Sequence, residues 1–234
     1  MSRASAAGVA ALAAFAAQVG PAATWLPPVR RSLAPSWCGP MPAGTLAISF
    51  DDGPHPEGTI AVLDELDRLG WPATFFLLGE QVRRFPAVAA EVVRRGHQVG
   101  LHGDAHRYLI GRSPRAARDD LHRAVDSIGE HSGRSPLWWR PPYGVASGPA
   151  LVTARSLELR PMLWSAWGRD WRAEATPASV VADLAKGRLD GGTVLLHDSD
   201  VTSAPGSWRT TVAALPLLAE ALHGRGLAVR PMPA

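Results

Sequence analysis

Five short stretches of this chain carry residues whose types and spacing could do chemistry. In Ser49-Phe50-Asp51-Asp52-Gly53-Pro54, two adjacent carboxylates follow an apolar run. Such a pair is electrostatically costly without a cation. A metal resolves the cost if one carboxylate ligates it and the other stays free as a base. Gly53-Pro54 forces a turn, and an ordinary surface turn accounts for the same residues. In His102-Gly103-Asp104-Ala105-His106, histidines four apart fall on one face of a helical turn and can share a cation. Two His and one Asp leave an open position for water, as catalytic zinc sites require. The plainer account is a pair of surface histidines.

The other three stretches supply partners. In Trp139-Arg140-Pro141-Pro142-Tyr143-Gly144 the prolines stiffen a loop. They would hold Arg140 where it can fix a carboxylate rotamer, and Tyr143 where its backbone N–H can meet an oxyanion. A structural proline turn with an exposed Arg also fits. Trp164 to Trp171 is rich in tryptophan. Trp164 reads as core and Trp171 as a candidate for stacking on a sugar face. In Leu195-Leu196-His197-Asp198, His197 could act as a general acid. Asp170 is the candidate carboxylate to orient it and raise its pKa. A lone histidine of this kind is otherwise a satisfied core residue.

These residues need elements to position them. From Gly44 onward short apolar runs alternate with helical patterns. Strands are expected at 46–50, 73–78, 98–101, 137–140, 162–165, 193–196 and 227–230. Helices are expected at 60–69, 86–95, 114–131, 147–156, 177–186 and 207–223. Alternation of this kind implies a parallel sheet, and about seven βα units in one domain suggest a barrel. Barrel catalysis sits at the C-terminal ends of strands. Asp51-Asp52, His102, Arg140 and His197 each follow an apolar run, and Asp170 lies shortly past one. The five would converge on one mouth.

Composition is compatible with this. The chain has 234 residues, 46% of them hydrophobic, enough for one large domain with a sizeable core. The net charge is +3, with scattered arginines and no long basic run, so no nucleic-acid partner is expected. Cys38 is the only cysteine. That excludes an internal disulfide and a thiolate zinc site, so any metal must be held by His, Asp or Glu.

Residues 1–43 read differently from the rest. Arg3 precedes an Ala-rich stretch from Ala6 to Ala17, with Ala14-Phe15-Ala16 as a small-x-small site. A signal or anchor and a helix packed on the barrel fit equally, so membrane contact through residues 6–26 is left open. Trp25 to Ala43 reads as a Pro/Gly-rich linker without periodicity.

Taken together, the ordered motifs resemble the polysaccharide deacetylase family, also called the NodB homology domain or carbohydrate esterase family four. The resemblance runs from about Gly44 to Arg230 through Asp-Asp-Gly-Pro, His-x-x-x-His, Arg-Pro-Pro-Tyr, an Asp-Trp pair and Leu-x-His. It implies a distorted (β/α)7 barrel of the glycoside hydrolase/deacetylase type. It implies Asp51 as catalytic base, and Asp52, His102 and His106 as ligands of one divalent metal. It further implies Arg140 as the residue orienting the base, Tyr143 as oxyanion donor, and His197 as acid with Asp170 as its partner. Leu195 and Trp171 would line the acetyl pocket and groove. Two positions depart from the family pattern. Gly103 stands where Ser or Thr is usual, which predicts a looser surround for the His pair. Trp167 stands where an Asp is usual, which bears on groove shape.

The expected activity is removal of N-acetyl groups from an N-acetylglucosamine-type polymer or oligomer: chitin, peptidoglycan or poly-N-acetylglucosamine. Zn²⁺ is the expected metal, with Co²⁺, Mn²⁺ and Ni²⁺ also suited to the donor set. A monomer in the cell envelope or secreted is expected. An O-acetyl polysaccharide esterase is the alternative within hydrolases, and a non-catalytic carbohydrate-binding barrel is the alternative outside them.

Overall fold

Thr45–Asp51 forms β1, an almost continuous apolar run that is buried along nearly its whole length. A strand covered on both faces is what a parallel sheet requires. The computed structural model describes residues 3–39 and 41–233. Met1, Ser2, Pro40 and Ala234 lie outside the described residues, Pro40 being one of the prolines of the expected linker.

β1 is the centre of the sheet. Along one edge it pairs with β7 (Gly192–His197), in a register that sets Asp51 opposite His197. Its other edge is shared. Thr45 and Leu46 pair with β8 (Ala228–Val229), and Ser49 to Asp51 pair with β2 (Thr74–Leu77). Beyond β2 follow β3 (Gln98–Leu101), β4 (Trp138–Trp139) and β5 (Arg160–Pro161). Beyond β7 lies β6 (Ala166–Trp167). Every pairing is parallel, and the order is β5-β4-β3-β2-β1-β7-β6 with β8 on β1. The fold is a distorted (β/α)7 barrel. Among the described residues β5 and β6 do not pair, so the barrel has a seam.

The flanking helices are α3 (Gly58–Leu69), α4 (Gly79–Arg84), α5 (Pro86–Arg94), α6 (Pro114–Ser132), α7 (Gly148–Ser156), α8 (Pro177–Ala185) and α9 (Ser207–His223). Their boundaries follow local chemistry. Ser113 caps α6 by accepting from Ala116 N–H, and Gly133 ends it at φ 72°. Thr176 and Ser179 form a reciprocal capping box at α8. Between helices and sheet lies one core, in which Phe50 and Phe75 stack at 5.1 Å. Phe50→Ala would remove a fully buried ring, at a cost of about 3–5 kcal/mol.

Three expectations need correction. Met162–Ser165 is not a strand: it crosses the seam between β5 and β6. Met162 N–H still bonds Trp139 O and Ser165 N–H bonds Thr193 O, but the carbonyls of Met162 and Leu163 accept from Arg140 instead of a neighbouring strand. The helix α4 was not expected, because its six residues are too few to show a helical period. Trp25–Ala43 is not a structureless linker. Pro27-Pro28 opens α2 (Pro27–Leu33), where a missing N–H costs nothing, and 3₁₀ turns flank it at 20–25 and 35–38.

The rest of the N-terminal segment is α1 (Arg3–Val19). The stretch Ala7–Trp25 is long and apolar enough to cross a membrane by length and composition, and little of it is buried. Its C-terminal end touches the barrel. Gln18 Nε2 donates to Arg112 O at 3.0 Å, and the backbone of Ala17 lies against Gly148 on α7.

Candidate active site

The strand ends deliver the expected residues to one mouth. Asp51 closes β1, Asp52 follows it at φ 77°, His102 follows β3, Arg140 follows β4, and His197 closes β7. Asp51, Asp52, His102, His106, Tyr143, Trp171, Leu195 and His197 all line a single hollow of about 300 Å³. Arg140 and Asp170 lie beneath it, both fully buried.

Asp52, His102 and His106 form the one three-residue cluster, among the described residues, that could hold a metal ion. Their ligand atoms lie within 4.8 Å of one another. Asp52 Oδ1 is 3.3 Å from His102 Nε2 and 3.5 Å from His106 Nε2. His102 Nδ1 contacts Arg140 O at 2.8 Å, which fixes the ring and leaves Nε2 for the centre of the cluster. Asp52 Oδ1 is buried with no hydrogen-bond partner. A buried carboxylate oxygen facing two imidazoles fits a cation.

Electrostatics supports the same reading. Burial alone would raise Asp52, but the His102 imidazole 3.3 Å away and the nearby His106 and His197 outweigh it, so it stays ionised far below the usual carboxylate range. Burial lowers His106 to about 4 against the pull of Asp52, so its ring is neutral, as a metal ligand must be. Burial also opposes a charge on His102, yet Asp51 and Asp52 together raise its pKa.

The His pair does not sit on a helical turn. Residues 102–106 form a bend that Gly103 enters at φ 96°, and the two rings lie 5.1 Å apart. A Cβ at 103 would come within 3.3 Å of Asp120 Oδ2. The loop is nonetheless tied down, contrary to the looser surround expected from Gly103. Asp104 N–H donates to Asp120, Gly79 N–H donates to Gly103 O, and the Asp104 carboxylate takes Arg83 at 2.7 Å and Arg123 at 3.1 Å.

Arg140 is the most heavily engaged side chain beneath the mouth. Nη1 donates to Asp51 Oδ1 at 2.5 Å, and Nη2 donates to Ser49 Oγ and Leu163 O at 2.9 Å each. Nε reaches Met162 O at 3.3 Å, and the guanidinium lies 4.0 Å from the centre of the Phe76 ring. Asp51 is thereby held by Oδ1, while Oδ2 stands 3.6 Å from His102 Nε2. Tyr143 is held in the left-handed region at φ 59°, a costly conformation for a non-glycine residue. Its ring packs edge-on to His106 and stacks on Tyr108 at 4.0 Å.

Asp170 accepts three hydrogen bonds. They come from His197 N–H at 2.7 Å, from His197 Nδ1 at 2.9 Å and from Thr211 Oγ1 at 2.7 Å. With Nδ1 turned to Asp170, Nε2 is the atom left for the mouth. Burial opposes a charge on His197, but Asp170 outweighs it and the pKa rises to about 9. Trp171 is exposed and stacks on Trp167, which also lines the hollow. Leu195 is buried beside Leu163 and Trp164.

Sequence reasoning missed several participants. Ser49 relays Arg140 to Val194 O, Thr202 donates to Asp52 Oδ2, and Trp25 and Tyr108 line the hollow. Asp198 is buried, accepts from Thr59, and lies where a Cβ on Gly53 would be. Burial raises its pKa to about 7, with Asp52 and Asp51 adding to the shift and Thr59 opposing it. Ser49 and Asp198 stand inside motifs the sequence shows, whereas nothing in the sequence signals Thr202, Trp25 or Tyr108.

The geometry agrees with what comparison with known proteins finds. Residues 39–162 match the family model for polysaccharide deacetylase. The chain is 34% identical over 205 residues to a peptidoglycan-N-acetylglucosamine deacetylase of Bacillus cereus, covering 85% of this chain and 92% of that one. It is 31% identical over 196 residues to a chitooligosaccharide deacetylase of Azorhizobium caulinodans, covering 81% and 93%. Among solved structures, the Bc1960 peptidoglycan N-acetylglucosamine deacetylase superposes with a TM-score of 0.77 at 26% identity, over 84% of this chain and 90% of that one. The chain belongs to the polysaccharide deacetylase family. It is a hydrolase acting on carbon–nitrogen bonds other than peptide bonds.

Proposed function

We propose that this enzyme removes N-acetyl groups from an N-acetylglucosamine-type polysaccharide or oligosaccharide, with one divalent metal held by Asp52, His102 and His106. The observation that carries this reading is the β1–β7 register. It sets Asp51 and His197 level on neighbouring strands, both lining the hollow that the metal cluster also lines. An ion held by that cluster, Zn²⁺ by donor set, would supply a Lewis acid and lower the pKa of a water toward roughly 7.

The chain's own residues do the rest. Asp51, oriented by Arg140, takes a proton from the attacking water. Tyr143 N–H donates to the oxygen of the acetyl carbonyl as charge develops there, a contact worth about 3 kcal/mol by analogy with single oxyanion donors. His197 gives the proton on Nε2 to the leaving nitrogen as the C–N bond breaks, and acetate and a free amine result. Asp170 holds His197 Nδ1 throughout. Leu195 and Trp171 exclude water from the acetyl methyl and stack on the sugar.

The catalytic unit is residues 44–234, and the end of α1 meets it through Ala17 and Gln18. The exposed apolar helix near the N-terminus favours a place in the cell envelope or outside it, as do relatives named for peptidoglycan. The test is acetate release from chitotetraose and peptidoglycan glycan strands, with O-acetylated xylo-oligosaccharide alongside, with and without chelator. Chelator-sensitive release from the amino-sugar substrates is expected. Release from the O-acetyl substrate alone would replace this reading with an esterase, and release from none of them would end it.

A further inference from the structure

Trp164 and Trp167, two of the rings that line the catalytic hollow, also line a second one of about 510 Å³. The barrel contributes the seam side of this second hollow, through Ser165, Ala166 and Arg188. The N-terminal segment contributes α2. Five cations line it: Arg30, Arg31, Arg169, Lys186 and Arg188. The one carboxylate among its lining residues is Asp183, which already takes Lys186 at 2.5 Å and Arg172 at 3.0 Å. The remaining positive charge is not balanced inside the hollow, although the chain as a whole carries only +3.

Arg30 makes the imbalance specific. It is 6% exposed, and its guanidinium lies 5.5 Å from the Trp164 ring centre. Its Nε and Nη1 are buried without a hydrogen-bond partner. A buried guanidinium with unmet donors is rare, because buried charge is normally paired. Burial pushes its pKa below the ordinary arginine value, with Arg31 adding to the effect and Cys38 opposing it. A planar anion seated among these forks would supply the missing counter-charge, and arginine matches a carboxylate with paired donors.

We propose that this second hollow is an anion subsite for the glycan, taking a carboxylate carried by the same chain whose acetyl group enters the catalytic hollow. Trp164 and Trp167 line both hollows, so the two adjoin at these rings, and the proposal has one polymer reach across them. The substrate class is therefore an acidic amino-sugar polymer, such as a glycan bearing lactyl carboxylates, in preference to a neutral one. The inference rests on the deacetylase reading for what brings the polymer to the mouth.

The test is calorimetric titration of the full, metal-loaded chain carrying Asp51→Asn, so that the ligand is not consumed. The ligands are a tetrasaccharide with ionised lactyl carboxylates and the same tetrasaccharide with those groups amidated. The ionised form is expected to bind about tenfold more tightly in 50 mM salt, and the gap is expected to narrow at 500 mM. In Arg31→Gln/Arg188→Gln, exposed positions whose change spares the core, the two forms should bind within about twofold of each other. Equal affinity for the two forms before those substitutions, or an unchanged gap after them, overturns the subsite. Failure of the deacetylase reading looks different: wild-type protein releases no acetate while the preference for the ionised form persists.

Discussion

Arg140 Nη1 and Asp51 Oδ1 meet at 2.5 Å beneath the mouth, where neither side chain has appreciable contact with solvent. The pair fixes which oxygen of Asp51 faces the metal cluster. Arg140→Lys keeps the charge but loses the fork that also reaches Ser49 and Leu163. It should lower kcat by about 10–100-fold with KM little changed, as expected for a loss of positioning. Arg140→Ala should instead destabilise the fold by about 3–5 kcal/mol, since Asp51 is left buried and unpaired. Steady-state kinetics and urea unfolding separate the two.

Asp51→Asn should retain the metal and lose activity by about 10²–10⁴-fold, the range of a general base. His106→Ala should do the reverse at limiting metal, losing the ion first. Elemental analysis beside turnover reads both. A D51N protein that turned over near the wild-type rate would remove Asp51 from the base role.

Metal should stabilise the fold, because the cluster exists only in the native state. At a free metal concentration of about 100 Kd the gain is about 2.7 kcal/mol, or roughly 5–10 °C in Tm for a chain of this size. Thermal melts with chelator and with added Zn²⁺ measure it. The gain should vanish in His102→Ala.

The alkaline side of the pH profile should report His197. Burial opposes its charge, but the Asp170 carboxylate outweighs burial and holds the pKa near 9. The acid form is therefore present below that value and lost above it. Asp170→Asn removes the negative charge, so the alkaline limb of kcat/KM should move down by at least about one pH unit, with the metal kept saturating. An unmoved limb would mean that another group sets it.

Asp198 should make the metal-free fold more stable toward acid. Its folded pKa is about 7 because burial disfavours the carboxylate, whereas the unfolded group titrates at its ordinary, lower value. The stabilisation is thus complete below the unfolded pKa and is lost as pH rises through 7. Asp198→Asn should flatten that dependence and raise Tm above pH 8 by about 3 °C or more. Melting curves at pH 5 and pH 8.5 for both proteins decide it.

The sequence carried the site's first contacts better than its supports. Asp51, His102, Arg140 and His197 each end or follow an apolar run, and barrel geometry turns that local pattern into convergence. β3 is legible to the residue at 98–101, because Gly96 and Gly103, both at positive φ, bracket it closely. The supports are long-range. Thr202 reaches Asp52 across 150 positions and Thr211 reaches Asp170 across 41, and no local period encodes such pairs. The same limit explains Trp25–Ala43. Its prolines read as breakers, although Pro27-Pro28 begins a helix whose Arg30 is set by tertiary packing.

The seam between β5 and β6 has a consequence for how regular such an enzyme can become. Its unladdered carbonyls, Met162 O and Leu163 O, are two of the acceptors that aim Arg140 at Asp51. Closing the barrel with an unbroken strand would draw those oxygens into sheet bonds and leave the guanidinium short of acceptors. Regularity and reactivity compete here for the same backbone atoms. A redesign that idealised this strand would gain symmetry and loosen the aim of Asp51.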